Sequence, residues 1–117
     1  MAIIFLRKEL DILYRKSYLL FIERSNVPSI SSFYGVIIYM YVGDTDRHHR
    51  PHIHAQYSGH EAQIDLDTHE ILSGDLPKNI YKKVKKWMAL HKSELWEDWS
   101  AASARNRDGI KRIEGLK

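Results

Sequence analysis

The sequence predicts an α+β domain: a small antiparallel sheet of three to four strands, two C-terminal helices on one face of it, and an added N-terminal helix. Three observations predict this class. β-branched and aromatic residues crowd positions 36–42, and apolar and polar residues alternate on both sides of Ser58-Gly59. After Pro77 the apolar spacing changes from two residues to three and four. A chain of 117 residues has room for one such domain, placed at 27–117, with residues 1–26 as an amphipathic helical extension.

The extension is justified by a stripe. Ile3, Leu6, Leu10, Leu13 and Leu20 recur at helical steps with Ser17 filling the gap, and Phe5, Ile12 and Leu19 widen it. Ser25-Asn26-Val27-Pro28 stops the pattern. Two readings of the stripe stand together: a helix packed on its own domain, or a docking helix that forms a homodimer through residues 3–24.

Val36-Ile37-Ile38-Tyr39-Met40-Tyr41-Val42 reads as a central strand with both faces largely buried, ended by Gly43-Asp44. A polar loop with Asp46, Arg47, His48 and His49 follows, and Pro51 opens the next strand, where its missing N–H does least harm. Two strands then flank Ser58-Gly59. With those two residues as the turn, the pairs are Tyr57/His60, Gln56/Glu61, Ala55/Ala62, His54/Gln63, Ile53/Ile64 and His52/Asp65. The apolar pairs among them fall on one face, and the polar pairs of His52, His54 and Gln56 on the other. The register demanded by the turn and that demanded by the pattern agree.

Asp67-Thr68 turns into a short strand over 69–72. Ser73-Gly74-Asp75-Leu76-Pro77 announces a helix, with Asp75 as the expected N-cap and Pro77 near the first turn. Ile80, Val84, Trp87, Met88 and His91 form its apolar side; Lys78, Lys82, Lys83, Lys85 and Lys86 lie outside it. A second helical stretch over 92–105 carries Leu95, Trp96 and Trp99 as anchors. Residues 110–116 either add an edge strand or lie along the surface.

Composition narrows the function classes. The chain has no cysteine, which excludes disulfides, thiolate zinc fingers, iron–sulfur clusters and cysteine nucleophiles. The early apolar run is broken by Arg7, Lys8, Glu9 and Asp11, too soon for a signal or membrane segment, so the cytoplasm is the expected compartment. Charge is uneven: residues 27–77 hold two Lys/Arg against seven Asp/Glu, and residues 78–117 hold eleven against five. The basic end suits phosphate or an acidic partner, or is a solvated helix face. The chain lacks a glycine-rich phosphate loop, a nucleotide fingerprint, a Gly-X-Ser-X-Gly elbow and a His-Glu-X-X-His helix.

Six of the seven histidines fall between residues 48 and 69. The hairpin puts His52 and His54 on one face with Asp65 across from His52. Three readings of that face stay open. The first is a packed, hydrogen-bonded core. In the second, His52 or His54 is a general base and Asp65 orients it, because a carboxylate fixes the tautomer and favours the imidazolium. The third is a divalent metal held by the two imidazoles, with Asp65, His48 or His49 completing the shell. No cofactor is expected.

The stretch Val27-Pro28-Ser29-Ile30-Ser31-Ser32-Phe33-Tyr34-Gly35-Val36-Ile37-Ile38-Tyr39-Met40-Tyr41, then Pro51, His52 and His54 of a Pro-His-X-His segment, carries a resemblance. So do Glu61-Ala62, Leu76-Pro77, and Trp87, Leu90, His91, Leu95 and Trp99. Over residues 27–117 the chain resembles DUF4160, a family of small bacterial domains of unknown function. The resemblance implies a gene encoded beside that of a second small protein. It also implies that this chain is the toxin of a type II toxin–antitoxin pair, neutralised by that partner. It transfers no catalytic residues. Two departures stand out: residues 1–26 extend beyond the usual start near Val27, and Arg50 replaces a second proline. If the toxin is an enzyme, the expectation is a ribonuclease-like hydrolase. His52, His54 and Asp65 would do its acid/base work, and Arg47, Arg50, Lys82 and Lys86 would hold RNA phosphates. The alternatives are a non-catalytic protein–protein interaction module and a small divalent-metal-binding protein.

Overall fold

The computed structural model describes residues 29–42 and 50–117. The helix and homodimer expected over residues 1–26, and the loop with Arg47, His48 and His49, lie outside the described residues. Five strands form one antiparallel sheet in sequence order: β1 (Ser29–Phe33), β2 (Val36–Tyr39), β3 (His52–Tyr57), β4 (His60–Asp65) and β5 (Ile71–Gly74). Two helices, α1 (Lys78–Leu90) and α2 (Lys92–Ser103), and a short 3-10 turn at Arg107–Gly109 follow. The α+β class stands, with one strand more than expected. The addition is β1, whose Ser29, Ser31 and Ser32 dilute the β-branched signal.

Two tight turns set the registers. Tyr34-Gly35 joins β1 to β2 with φ of 49° and 81°, and Ser58-Gly59 joins β3 to β4 with φ of 42° and 84°. Positive φ at both central residues matches the right-handed twist of the flanking strands. All six β3–β4 pairs, from His52 with Asp65 to Tyr57 with His60, occur as the turn demands. β2 pairs on the other side of β3, setting Ile38 beside Ala55 and Tyr39 beside His54. Because side chains alternate, Val36, Ile38, Ile53, Ala55, Ala62 and Ile64 share one buried face. Ile37 is on the opposite face and exposed, so β2 is not buried on both sides as expected.

The core lies between that apolar face and α1. Ile80, Val84, Trp87 and Met88 of α1 and Leu95, Trp99 and Ala102 of α2 join it. The Trp87 ring lies 5.2 Å from Phe33, which pairs with Val36 and therefore marks the apolar side of the sheet. The indole Nε1–H of Trp87 donates to the Glu114 carbonyl at 2.8 Å, holding the C-terminal tail against α1. The tail in turn donates from the Ile113 N–H to the Ile30 carbonyl of edge strand β1 at 2.7 Å. It shields that edge without becoming a strand, which resolves the two expectations for residues 110–116.

Two local expectations are corrected. Asp75 does not cap α1: the cap position is Pro77, with no side-chain hydrogen bond, and the Asp75 carboxylate meets His60 Nδ1 at 3.2 Å. The last strand also begins later than residue 69. Asp65 Oδ1 accepts from the N–H groups of Asp67 and Thr68 at 2.7 and 3.0 Å, and His69 takes φ of 63°. That Asx-type turn occupies the chain until Ile71.

Candidate functional site

β3 places His52, His54 and Gln56 on the sheet face opposite the apolar one, between β2 and β4. Tyr39 stands across from His54 on one side, and Gln63 and Asp65 across from His54 and His52 on the other. The Tyr41 ring stacks on His54 at 4.0 Å and 5°. The His52 ring meets His54 edge-on at 5.1 Å and Trp99 of α2 at 5.4 Å. The result is a small aromatic and imidazole platform. It is not an open cleft: His52 is 1% exposed, His54 4% and Asp65 1%.

The polar contacts assign roles within it. His52 Nδ1 lies 2.8 Å from the Arg50 carbonyl, which can only accept, so Nδ1 carries the proton in the neutral ring. The Arg50 Nε–H donates to Asp65 Oδ2. With Asp67 and Thr68 donating to Oδ1, both Asp65 oxygens are engaged. Burial alone would raise the Asp65 carboxyl. The Arg50 hydrogen bond and the two backbone N–H groups outweigh it and hold the carboxyl at about 2. His54 Nδ1 lies 3.4 Å from the half-exposed Glu61 carboxylate.

The sequence-predicted residues therefore separate. His52, His54 and Asp65 come together as the pairing required, but the described bonds orient His52 through the Arg50 carbonyl and spend the Asp65 carboxylate on Arg50 and the turn. Arg50 stands beside them as an ion-pair partner. Lys82 and Lys86 do not converge on the histidines: they are exposed on α1, which packs against the opposite face of the sheet. Arg47 lies outside the described residues. Among the described residues no three His, Asp or Glu side chains are gathered as a metal site.

Sequence reasoning missed two members of the platform. Tyr41 was legible through parity, since it sits two residues beyond Tyr39 on the same face. Trp99 was read only as a core anchor; which ring it would meet depends on how α2 is set against β3, and no local pattern encodes that. Residues 35–100, more than half of the chain, match the family described as a domain of unknown function, DUF4160. The chain belongs to the DUF4160 family. The match takes in the histidine hairpin, α1 and most of α2 of this DUF4160 domain. No curated protein and no solved structure matches it. Among the described residues no helix is long and apolar enough to cross a membrane.

Proposed function

We propose that this DUF4160 domain is the growth-inhibitory toxin component of a type II toxin–antitoxin pair, and that it acts by engaging another macromolecule rather than by histidine catalysis. The observation that carries the non-catalytic part is the burial of His52 and His54. A general base must reach the proton it removes within hydrogen-bond distance, and with His54 stacked under Tyr41 and His52 packed beside Trp99, both buried, neither ring offers an RNA hydroxyl an approach. The Asp65–Arg50 pair and the His52–Arg50 carbonyl bond form a structural hydrogen-bond network that fixes the start of β3, with the Arg50 side chain half exposed at its rim. The paired-gene half rests on what the resemblance implies, a small antitoxin from the neighbouring gene, since the family itself is described as one of unknown function.

The test is inducible expression in a bacterial host of wild type, His52→Gln and His54→Gln, with the melting temperature of each purified protein measured alongside. Wild type should arrest growth, and co-expression of the neighbouring gene product should restore it and yield a co-purifying complex. Arrest should persist in whichever histidine variant remains folded. Lost arrest in a folded variant would sink the binding reading in favour of chemistry at His52, His54 and Asp65. If the wild type has no effect on growth, the toxin reading falls.

A further inference from the structure

Helix α1 reads Lys-Asn-Ile-Tyr-Lys-Lys-Val-Lys-Lys-Trp-Met-Ala-Leu: five lysines and no carboxylate in thirteen residues. The four buried positions, Ile80, Val84, Trp87 and Met88, take one side. At 100° per residue, Lys83 and Lys86 fall on one flank of the remainder, beside Leu90, which is 64% exposed. That flank borders the β1–β2 turn. Lys83 Nζ stands 5.5 Å from the centroid of the Tyr34 ring, and Tyr34 is 54% exposed.

Tyr34 supplies an independent observation. It holds φ of 49° at the first central position of a two-residue turn, where Asn, Asp or Gly relieves the clash of Cβ with the backbone. A large aromatic residue there is strained and also exposes its ring, so folding alone favours a different residue. Strain kept at an exposed aromatic points to use of the ring. Further along the same flank, α1 and the tail border an open groove of about 320 Å³ lined by Lys86, Leu90, His91, Glu114, Leu116 and Lys117. Glu114 in that lining is already paired with Lys117 at 2.8 Å.

We propose that this flank binds single-stranded nucleic acid, with phosphates on Lys83 and Lys86 and a base stacked on Tyr34, the strand continuing toward the groove beside the tail. Lysines beside an exposed aromatic ring suit a flexible polyanion whose bases present flat faces. A protein partner fits less well, because interface centres are depleted in lysine and, among the described residues, this flank sets just Tyr34 and Leu90 as exposed large apolar side chains among its lysines. The site lies across the sheet from His52 and His54, so the inference does not rest on the paired-gene reading.

Fluorescence anisotropy of a labelled oligouridylate of about twelve nucleotides, titrated with the full chain at several salt concentrations, tests it. Binding should weaken steeply with salt. Lys83→Gln/Lys86→Gln should lower the slope of log K against log salt by about 1.4, the value for two phosphate contacts on a single strand. Tyr34→Asn should weaken binding roughly tenfold at unchanged slope while the melting temperature holds or rises. A melting temperature that does not fall separates a lost stacking surface from a damaged fold. No anisotropy change at low salt overturns the proposal, as does equal binding by wild type and both variants. Equal displacement of the oligonucleotide by inorganic polyphosphate, with Tyr34→Asn unaffected, would reduce the flank to a nonspecific anion surface and overturn it as well. Capture by anionic lipid vesicles without oligonucleotide binding would do the same.

Discussion

Two buried aspartates carry opposite consequences for pH. Asp65 keeps its charge because Arg50 and two N–H groups surround it, which places its folded-state carboxyl at about 2, below the ordinary value of about 3.9. A depressed folded-state value contributes stability that is complete above the unfolded value and is lost as pH falls from about 4 through about 2. Asp98 is the reverse case. It accepts only the Lys111 N–H, at 2.8 Å, and its second oxygen is buried without a partner among the described residues. Burial, with Glu94 and Glu97 nearby, raises its carboxyl despite the Lys111 N–H. Its cost therefore appears as pH rises out of the ordinary carboxylate range. Melting temperature measured against pH checks both signs. Arg50→Gln should lower the melting temperature at neutral pH, since it strips a charged hydrogen bond from a buried carboxylate, and the deficit should shrink in acid. Asp98→Asn should melt higher than wild type at neutral pH, with the gap closing on acidification. A pH-independent difference in either variant contradicts the assignment. Neither partner was legible beforehand. Asp65 was marked by its register opposite His52, but nothing near it in sequence said that Arg50, fifteen residues away, would claim it.

Among the elements, β3 and β4 were the most readable and β5 the least. A two-residue turn with a glycine, flanked by strict alternation, leaves one register that buries every apolar side chain, and that register is present. β5 answers to contacts that no alternation records. It pairs with β4 through an irregularity between Gln63 and Ile64, and Gly74 closes it at φ of 78°. A Cβ at Gly74 would stand 2.0 Å from the Glu61 carbonyl oxygen, so glycine is required there for space as well as conformation. Gly74→Ala should cost about 2–3 kcal/mol and release the Asp75 amide, which donates to Glu61, to fast hydrogen exchange. Retained protection at Asp75 would show that the edge adapts without losing the pairing. α1 was legible from its stripe, but its cap was not: Asp75 has the right chemistry and sits two residues too early, because Pro77 opens the helix.

In the described molecule as a whole, Trp87 joins three parts that are distant in sequence: it fills the core beneath α1, touches Phe33 of β1 and ties down the tail at Glu114. Trp87→Phe should therefore do more than open a small cavity. A loss of roughly 2 kcal/mol is expected, with selective loss of amide protection at Ile113, whose bond to Ile30 depends on where the tail lies. Uniform loosening of all amides would argue against that coupling. Sequence alone was enough for the α+β class, the hairpin register and the two-helix C-terminus. Each follows from periodicity and turn chemistry, which act between near neighbours. Tertiary structure decided what those elements do to one another. It buried the histidine face instead of opening it, and gave Asp65 to Arg50. It also set the α1 lysines across the sheet from the histidines and stood Tyr34 beside Lys83. These outcomes depend on packing across the sheet and along its edges, where contacting residues are as far as 83 positions apart, and no local pattern carries that information.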